Sequence, residues 1–270
     1  MRVMRTILAA ALLLTAGCGA GGAGGGASIL DRDELVVAVK GDQPGLAVRT
    51  RGGAFEGFDV DVATYVARHL GKKVRFVETT SEGREDKLRS GEADMVVATY
   101  SISPPRKRQV MFAGPYYVSR QDILVRKGTR GIRGVRDLAG RRLCEASGSI
   151  STSRVVDARG VAAVLVPAGT YGECVELLKK GAVDAVSTGD LILAGYAARE
   201  KGAFTIVNAP FTEERYGIAV RPGDVAGCEE INRAITVMYQ SGAAAKLLRD
   251  RFGATGLELT PFMPQFEGCD

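Results

Sequence analysis

One order of elements, strand then helix then strand, occurs twice along this chain and limits its fold more than any other feature. Glu34-Leu-Val-Val-Ala-Val39 is an apolar, β-branched run of the kind a buried strand needs. Residues 59–70 carry apolar side chains at helical spacing and stop at Gly71. Residues 73–77 alternate as a strand, 83–90 read as a short helix stopped by Gly91, and 94–98 as a second buried strand. After an extended stretch at 122–126 the order restarts: strand 141–144, helix 151–159, strand 162–166, helix 171–180, strand 184–187. A strand at 215–220 and helices at 228–239 and 243–252 complete the chain. A β-α-β-α-β order needs crossover helices, so it predicts an α/β protein of two lobes, each a mostly parallel sheet flanked by helices. The expected lobes are 34–122 with 216–270, and 123–215. Two such sheets facing one another form a cleft, and open α/β sheets bind ligands beyond the carboxyl ends of their strands.

The start of the chain follows a different logic. Arg2 and Arg5 precede the apolar run from Ile7 to Leu14, and small residues Ala16 and Gly17 lead to Cys18. Basic, apolar and small-residue regions in that order make 1–17 a secretory signal peptide. The run is shorter than the roughly 20 residues a bilayer span requires. Ala-Gly-Cys18 resembles a bacterial lipobox, with Thr15 where Leu is usual; the alternative is an ordinary cleaved signal with an incidental Cys. Gly and Ala dominate 19–26, so 18–33 is expected to be a flexible tether, which favours lipidation of Cys18. The expected place is the extracytoplasmic face of the cell membrane.

Net charge is +5, of which Arg2 and Arg5 supply two, and the remaining basic residues are interspersed with Asp and Glu, so no nucleic-acid partner is implied. Cys144, Cys174, Cys228 and Cys269 form an even set in an exported chain, which reads as two disulfides. Four cysteines allow three pairings, and 144–174 with 228–269 is the most economical. No CxxC spacing occurs, and the single histidine, His69, falls in a helical run beside Arg68, so neither a metal nor a cofactor is expected.

Three stretches carry a more specific signal: Phe55-Glu-Gly-Phe-Asp-Val-Asp-Val62; Thr99-Tyr-Ser-Ile-Ser-Pro-Pro-Arg106 running on to Phe112-Ala-Gly-Pro-Tyr-Tyr117; and Ser147-Gly-Ser-Ile-Ser151. Together they resemble the family 3 extracellular solute-binding proteins of polar amino-acid ABC transporters. Asp42-Gln-Pro-Gly45, Ala98-Thr-Tyr-Ser101 and Ile192-Leu-Ala-Gly-Tyr196 are most similar to the glutamate-binding lipoproteins of that family. The resemblance implies a type II periplasmic-binding-protein clamp that closes by a hinge on a free amino acid. It also implies a monomer that delivers its ligand to a membrane permease driven by a separate ATPase.

The residues it singles out make chemical sense. Arg106 can fork onto an α-carboxylate with two charge-assisted hydrogen bonds. Thr99 and Ser101 sit just past a buried strand, where a hydroxyl or backbone group reaches the cleft; as bare residues they serve equally as turn formers. Gly148, Ser149 and Ser151 precede a helix, so their loop offers backbone N–H groups to an anion, or simply caps the helix. Arg84 stands where relatives contact the ligand side chain, favouring a second carboxylate; the alternative is a solvated arginine on helix 83–90. Phe58, Tyr65 and Phe76 are at core spacing, and Asp59 and Asp61 read as first-turn charges that complement a helix dipole.

Two positions depart from the family pattern. Gly41 stands where an aromatic often covers the ligand. Gly189 stands where an Asp binds the α-ammonium, and Asp190 follows it, so Asp190 is expected to swing in or the contact is lost. The expected ligand is glutamate, with aspartate or glutamine as alternatives. An amino-acid sensor subunit uses the same clamp. A dehydratase-like enzyme on this fold would need a cleft acid, for which Glu82, Glu145 and Asp190 are the candidates.

Overall fold

The computed structural model describes residues 28–259 and 262–269; the expected signal peptide, 1–17, and Cys18 lie outside the described residues. In chain order the elements are β1 (Glu34–Val39), β2 (Asp42–Gln43), β3 (Ala47–Arg49), β4 (Phe55–Glu56), α1 (Phe58–His69), β5 (Lys73–Glu78), α2 (Arg84–Arg89), β6 (Met95–Ser101), α3 (Pro104–Lys107) and β7 (Met111–Arg126). There follow β8 (Arg142–Ala146), α4 (Ser151–Val156), β9 (Val164–Ala168), α5 (Tyr171–Lys180), β10 (Val186–Gly189), α6 (Asp190–Arg199), β11 (Phe204–Ile206), β12 (Thr212–Val220), α7 (Val225–Gln240) and α8 (Ala243–Phe252).

The result is a two-lobed α/β clamp whose main sheet is mixed. β1 lies between parallel partners β5 and β6, as the crossover pattern demands. β12 then pairs antiparallel with both β6 and β7, and β10 and β11 pair antiparallel with β7. In the second lobe β8 and β9 are parallel, and Leu143 bridges Ala185 in the parallel sense. Mostly parallel sheets were expected. The antiparallel part exists because the chain passes between the lobes in both directions, along β7 and back along β12, and the two passes pair. β7 has 16 residues, about 50 Å at the usual rise per residue. Its first part pairs with β12 and its last part with β10 and β11, so one strand belongs to both lobes.

Apolar burial divides only in part, since the largest cluster runs through both lobes. Ile123, Val125, Leu138, Leu143 and Val155 form a core confined to the second lobe. Phe58, Val62 and Val66 of α1 pack with Ile231 and Ile235 of α7 in the largest cluster. Phe58 stacks edge-on against Tyr117, while Tyr65 and Phe76 are half-buried against this core. His69 is exposed.

Part of the expected tether belongs to the fold. Ser28 caps a turn over Ile29–Asp31, and its hydroxyl donates to Asp224 at 2.6 Å. Ile29 is buried and its N–H donates to the same carboxylate at 2.9 Å. Both disulfides join the cysteines in sequence order: Cys144–Cys174 ties β8 to α5, and Cys228–Cys269 ties α7 to the C-terminal segment.

Candidate functional site

The first-lobe wall is built at the end of β6. Asp59, in the first turn of α1, is fully buried beneath it. Its carboxylate accepts the Thr99 N–H at 3.0 Å and the Tyr116 hydroxyl at 2.8 Å. Burial nevertheless pushes Asp59 up to about 7. Thr99 has φ +45°, unusual for a β-branched residue; Asp59 holds its N–H, and its hydroxyl donates to Gln43 at 3.1 Å. Asp59 is therefore more than a first-turn charge: it sets the backbone that lines the cleft. Asp61 is held outside by a two-pronged pair with Arg251, at 2.7 and 3.0 Å.

Two guanidiniums lie over this strand end. Arg84 is 2 % exposed, so the solvated alternative is excluded. It donates to the carbonyls of Ser81 (2.9 Å), Ala98 (3.3 Å), Thr99 (3.4 Å) and Gly148 (3.0 Å). Arg106, 7 % exposed, donates to the carbonyls of Ser101 (2.9 Å) and Gly148 (3.0 Å). Their guanidinium carbons stand 4.1 and 4.8 Å from the centre of the Tyr100 ring. Burial, and then the neighbouring Arg106, push Arg84 down to about 10. Burial also lowers Arg106. Lys40, which donates to Ser81 Oγ at 2.6 Å, is held well below the usual lysine range by burial and then by Arg84.

The second-lobe wall is a cluster of hydroxyls. Tyr171, at the start of α5, meets Ser149 Oγ at 2.6 Å and donates to Ser151 Oγ at 2.8 Å. Ser151 Oγ in turn lies 3.3 Å from Thr188 Oγ1. The preceding turn behaves differently from the expected anion cradle. Gly148 presents its carbonyl, not its N–H, and that one oxygen accepts from both arginines across the cleft. Gly148 has φ +71°, and a Cβ there would stand 2.4 Å from the Glu82 backbone nitrogen, so the lobes close backbone against backbone.

Between the walls the closed lobes leave a cavity of about 20 Å³, room for little more than one water molecule. Arg84, Thr99, Ser101, Arg106, Ser149 and Ser151 all line it. Asp190 does not. Its carboxylate accepts from Ser119 Oγ and from its own neighbour Leu191 N–H, both at 2.7 Å, and faces an outer depression with Arg120 and Asp122. Gly189 lines the cavity instead, and a Cβ there would fall 2.0 Å from Tyr216 Oη and 2.4 Å from Ser119 Oγ. The Tyr216 phenol thus fills the space where an Asp at 189 would go. Glu82 is exposed, and Glu145, which accepts from Thr152 at 3.2 Å, lies away from the cavity lining. No group of three or more His, Cys, Asp or Glu among the described residues is arranged to hold a metal.

A model of the bacterial extracellular solute-binding proteins, family 3, matches residues 35–254. The chain belongs to that family. It is 38 % identical over 261 residues to the glutamate-binding protein GluB of Corynebacterium efficiens, covering 92 % of this chain and 88 % of the relative. It is 35 % identical over 247 residues to the ABC transporter glutamine-binding protein GlnH of Bacillus subtilis, covering 86 % and 89 %. Among solved structures, an ancestral arginine-binding protein bound to arginine superposes with a TM-score of 0.76 at 33 % identity, over 82 % of this chain and 99 % of the other. Residues from the family's motifs, Ile192 among them, line one cavity here, but its walls include residues that no motif marked: Ser81, Tyr171, Thr188, Glu214 and Tyr216. Tyr171 and Thr188 had a local signal, since each sits where a strand or loop runs into a helix facing the cleft. Glu214 and Tyr216 had none, because β12 returns to the site from the far end of the chain.

Proposed function

We propose that this chain is the extracytoplasmic binding component of an amino-acid ABC importer and that it takes an acidic amino acid, glutamate ahead of glutamine. The observation that carries this reading is the pair of buried arginines. Among the described residues, every hydrogen bond from either guanidinium ends on a backbone carbonyl. Two buried cations that share neutral acceptors are costly until anions arrive. A ligand with two carboxylates meets both: the α-carboxylate on Arg106, the side-chain carboxylate on Arg84, with the Ser149, Ser151 and Tyr171 hydroxyls closing from the second lobe. Closure is a hinge motion about the crossings near 120–126 and 213–218, drawn toward the closed form by contacts made only there. The closed clamp docks on a membrane permease served by a separate ATPase, and a diacylated Cys18 keeps it at the membrane. The glutamate- and glutamine-binding relatives support the choice of ligand class.

Calorimetric titration of the purified protein with all common amino acids tests this. Arg106→Ala should lower affinity for every bound amino acid by more than about a hundredfold, as loss of a buried charged partner does. Arg84→Ala should weaken glutamate by about ten- to hundredfold and glutamine by much less. Equal losses for the two ligands remove the acidic reading.

A further inference from the structure

The family pattern binds the α-ammonium with an Asp at position 189, and this chain has Gly there, with Tyr216 occupying the space. The cavity nevertheless holds one carboxylate. Glu214 of β12 lines it and is 4 % exposed. Side chains two apart on a strand share a face, so Glu214 and Tyr216 reach the cavity together. Glu214 Oε1 is engaged: it accepts from Arg154 Nε and from Thr212 Oγ1, each at 3.1 Å. Oε2 is buried with no hydrogen-bond partner among the described residues. A buried carboxylate oxygen left unpaired is among the more costly features a folded protein can carry. A primary ammonium supplies the three donors and the positive charge that would relieve it.

We infer that Glu214, through Oε2, binds the ligand's α-ammonium in place of the family's aspartate. The contact moves from the end of β10 to β12, the strand shared by the two lobes, and the site regains a complementary set of charges: two arginines for carboxylates and one glutamate for the amine. Arg154 keeps the carboxylate oriented from the rim. The same arrangement disfavours dicarboxylates that lack an amine, because their charge would face an unpaired Oε2. The inference rests on the ligand being an amino acid but not on its being acidic.

The test compares L-glutamate with glutarate, which lacks only the α-amino group, in wild type and in Glu214→Gln, which nearly preserves shape. Direct calorimetry gives the stronger constant and displacement at millimolar glutarate the weaker. Glu214→Gln should weaken glutamate by about ten- to hundredfold and leave glutarate unchanged or tighter. Equal loss for both compounds, or no loss for either, overturns the assignment, since a merely structural glutamate would not change the ratio. Glutarate binding also reports that the variant is folded; should Glu214→Gln fail to fold, Glu214→Asp should give the same sign with a smaller ratio. If wild type binds glutamine and not glutamate, the acidic reading of the site fails, and the comparison is made with glutamine and its deaminated counterpart, 4-carbamoylbutanoate. A wild type that binds no amino acid refutes both.

Discussion

Replacing Gly148 with alanine should separate closure of the clamp from the integrity of its lobes. The added methyl has two consequences, and they fall on different states. Holding a non-glycine residue at φ +71° costs about 1–2 kcal/mol, and it does so whether the clamp is open or closed. The contact with the Glu82 backbone at 2.4 Å exists only when the lobes are together, and it is relieved by backing the Gly148 turn away. That withdrawal stretches the two bonds by which the Gly148 carbonyl receives Arg84 and Arg106, both at 3.0 Å. Losing one charge-assisted bond of this kind costs about 1.5–3 kcal/mol. The closed population, and with it the apparent affinity, should therefore fall about ten- to hundredfold. The unliganded melting temperature should fall by only a few degrees, as about 1–2 kcal/mol implies for a chain of this size. Calorimetry reads the affinity, a thermal melt reads the stability, and small-angle scattering with and without ligand reads compaction. Wild-type affinity together with full ligand-induced compaction would refute the argument that the lobes meet at this backbone contact.

Two further outcomes follow from buried groups near the site. Asp59 is raised from 3.8 to about 7 by burial, so its contribution favours folding below pH 4 and is lost as pH rises to about 7, a change on the order of 4 kcal/mol; Asp59→Asn, which retains the acceptor for Thr99 N–H, should flatten stability over that window in urea titrations at several pH values. Gly189→Asp, which restores the family residue, should not improve binding. Its Cβ would stand 2.0 Å from Tyr216 Oη, and the overpacking should destabilise the protein by about 1–3 kcal/mol, measurable by thermal melt, while amino-acid affinity stays level or falls.

How much of the site was legible depended on how local its cause was. Arg106 followed from its place after Ser-Ile-Ser-Pro-Pro, and Gly148 from a glycine at the mouth of a predicted helix; the structure puts Arg106 on the cavity and bonds it to the Gly148 carbonyl. The use of Gly148 was not legible, because whether a turn offers N–H or carbonyl depends on the lobe that docks against it. Asp190 read as the substitute for a missing aspartate because it is the adjacent residue. The rotation between neighbouring positions instead turned it toward Ser119 and the outer surface. Asp59 looked like a helix-end charge, and only the packing of α1 beneath β6 made it the anchor of Thr99.

The sequence by itself determined the alternation of strands and helices, the stop at each helix-ending glycine, the two-lobed class and motif residues on both walls. These depend on periodicity and on neighbours a few positions away. Tertiary structure alone decided that β7 and β12 pair antiparallel as shared crossings. It alone decided that two arginines converge on a single carbonyl. It alone set Glu214 and Tyr216, more than a hundred residues from Thr99, in the floor of the cavity. Long-range strand pairing brings those groups together, and no local pattern of residues encodes which distant strand will arrive.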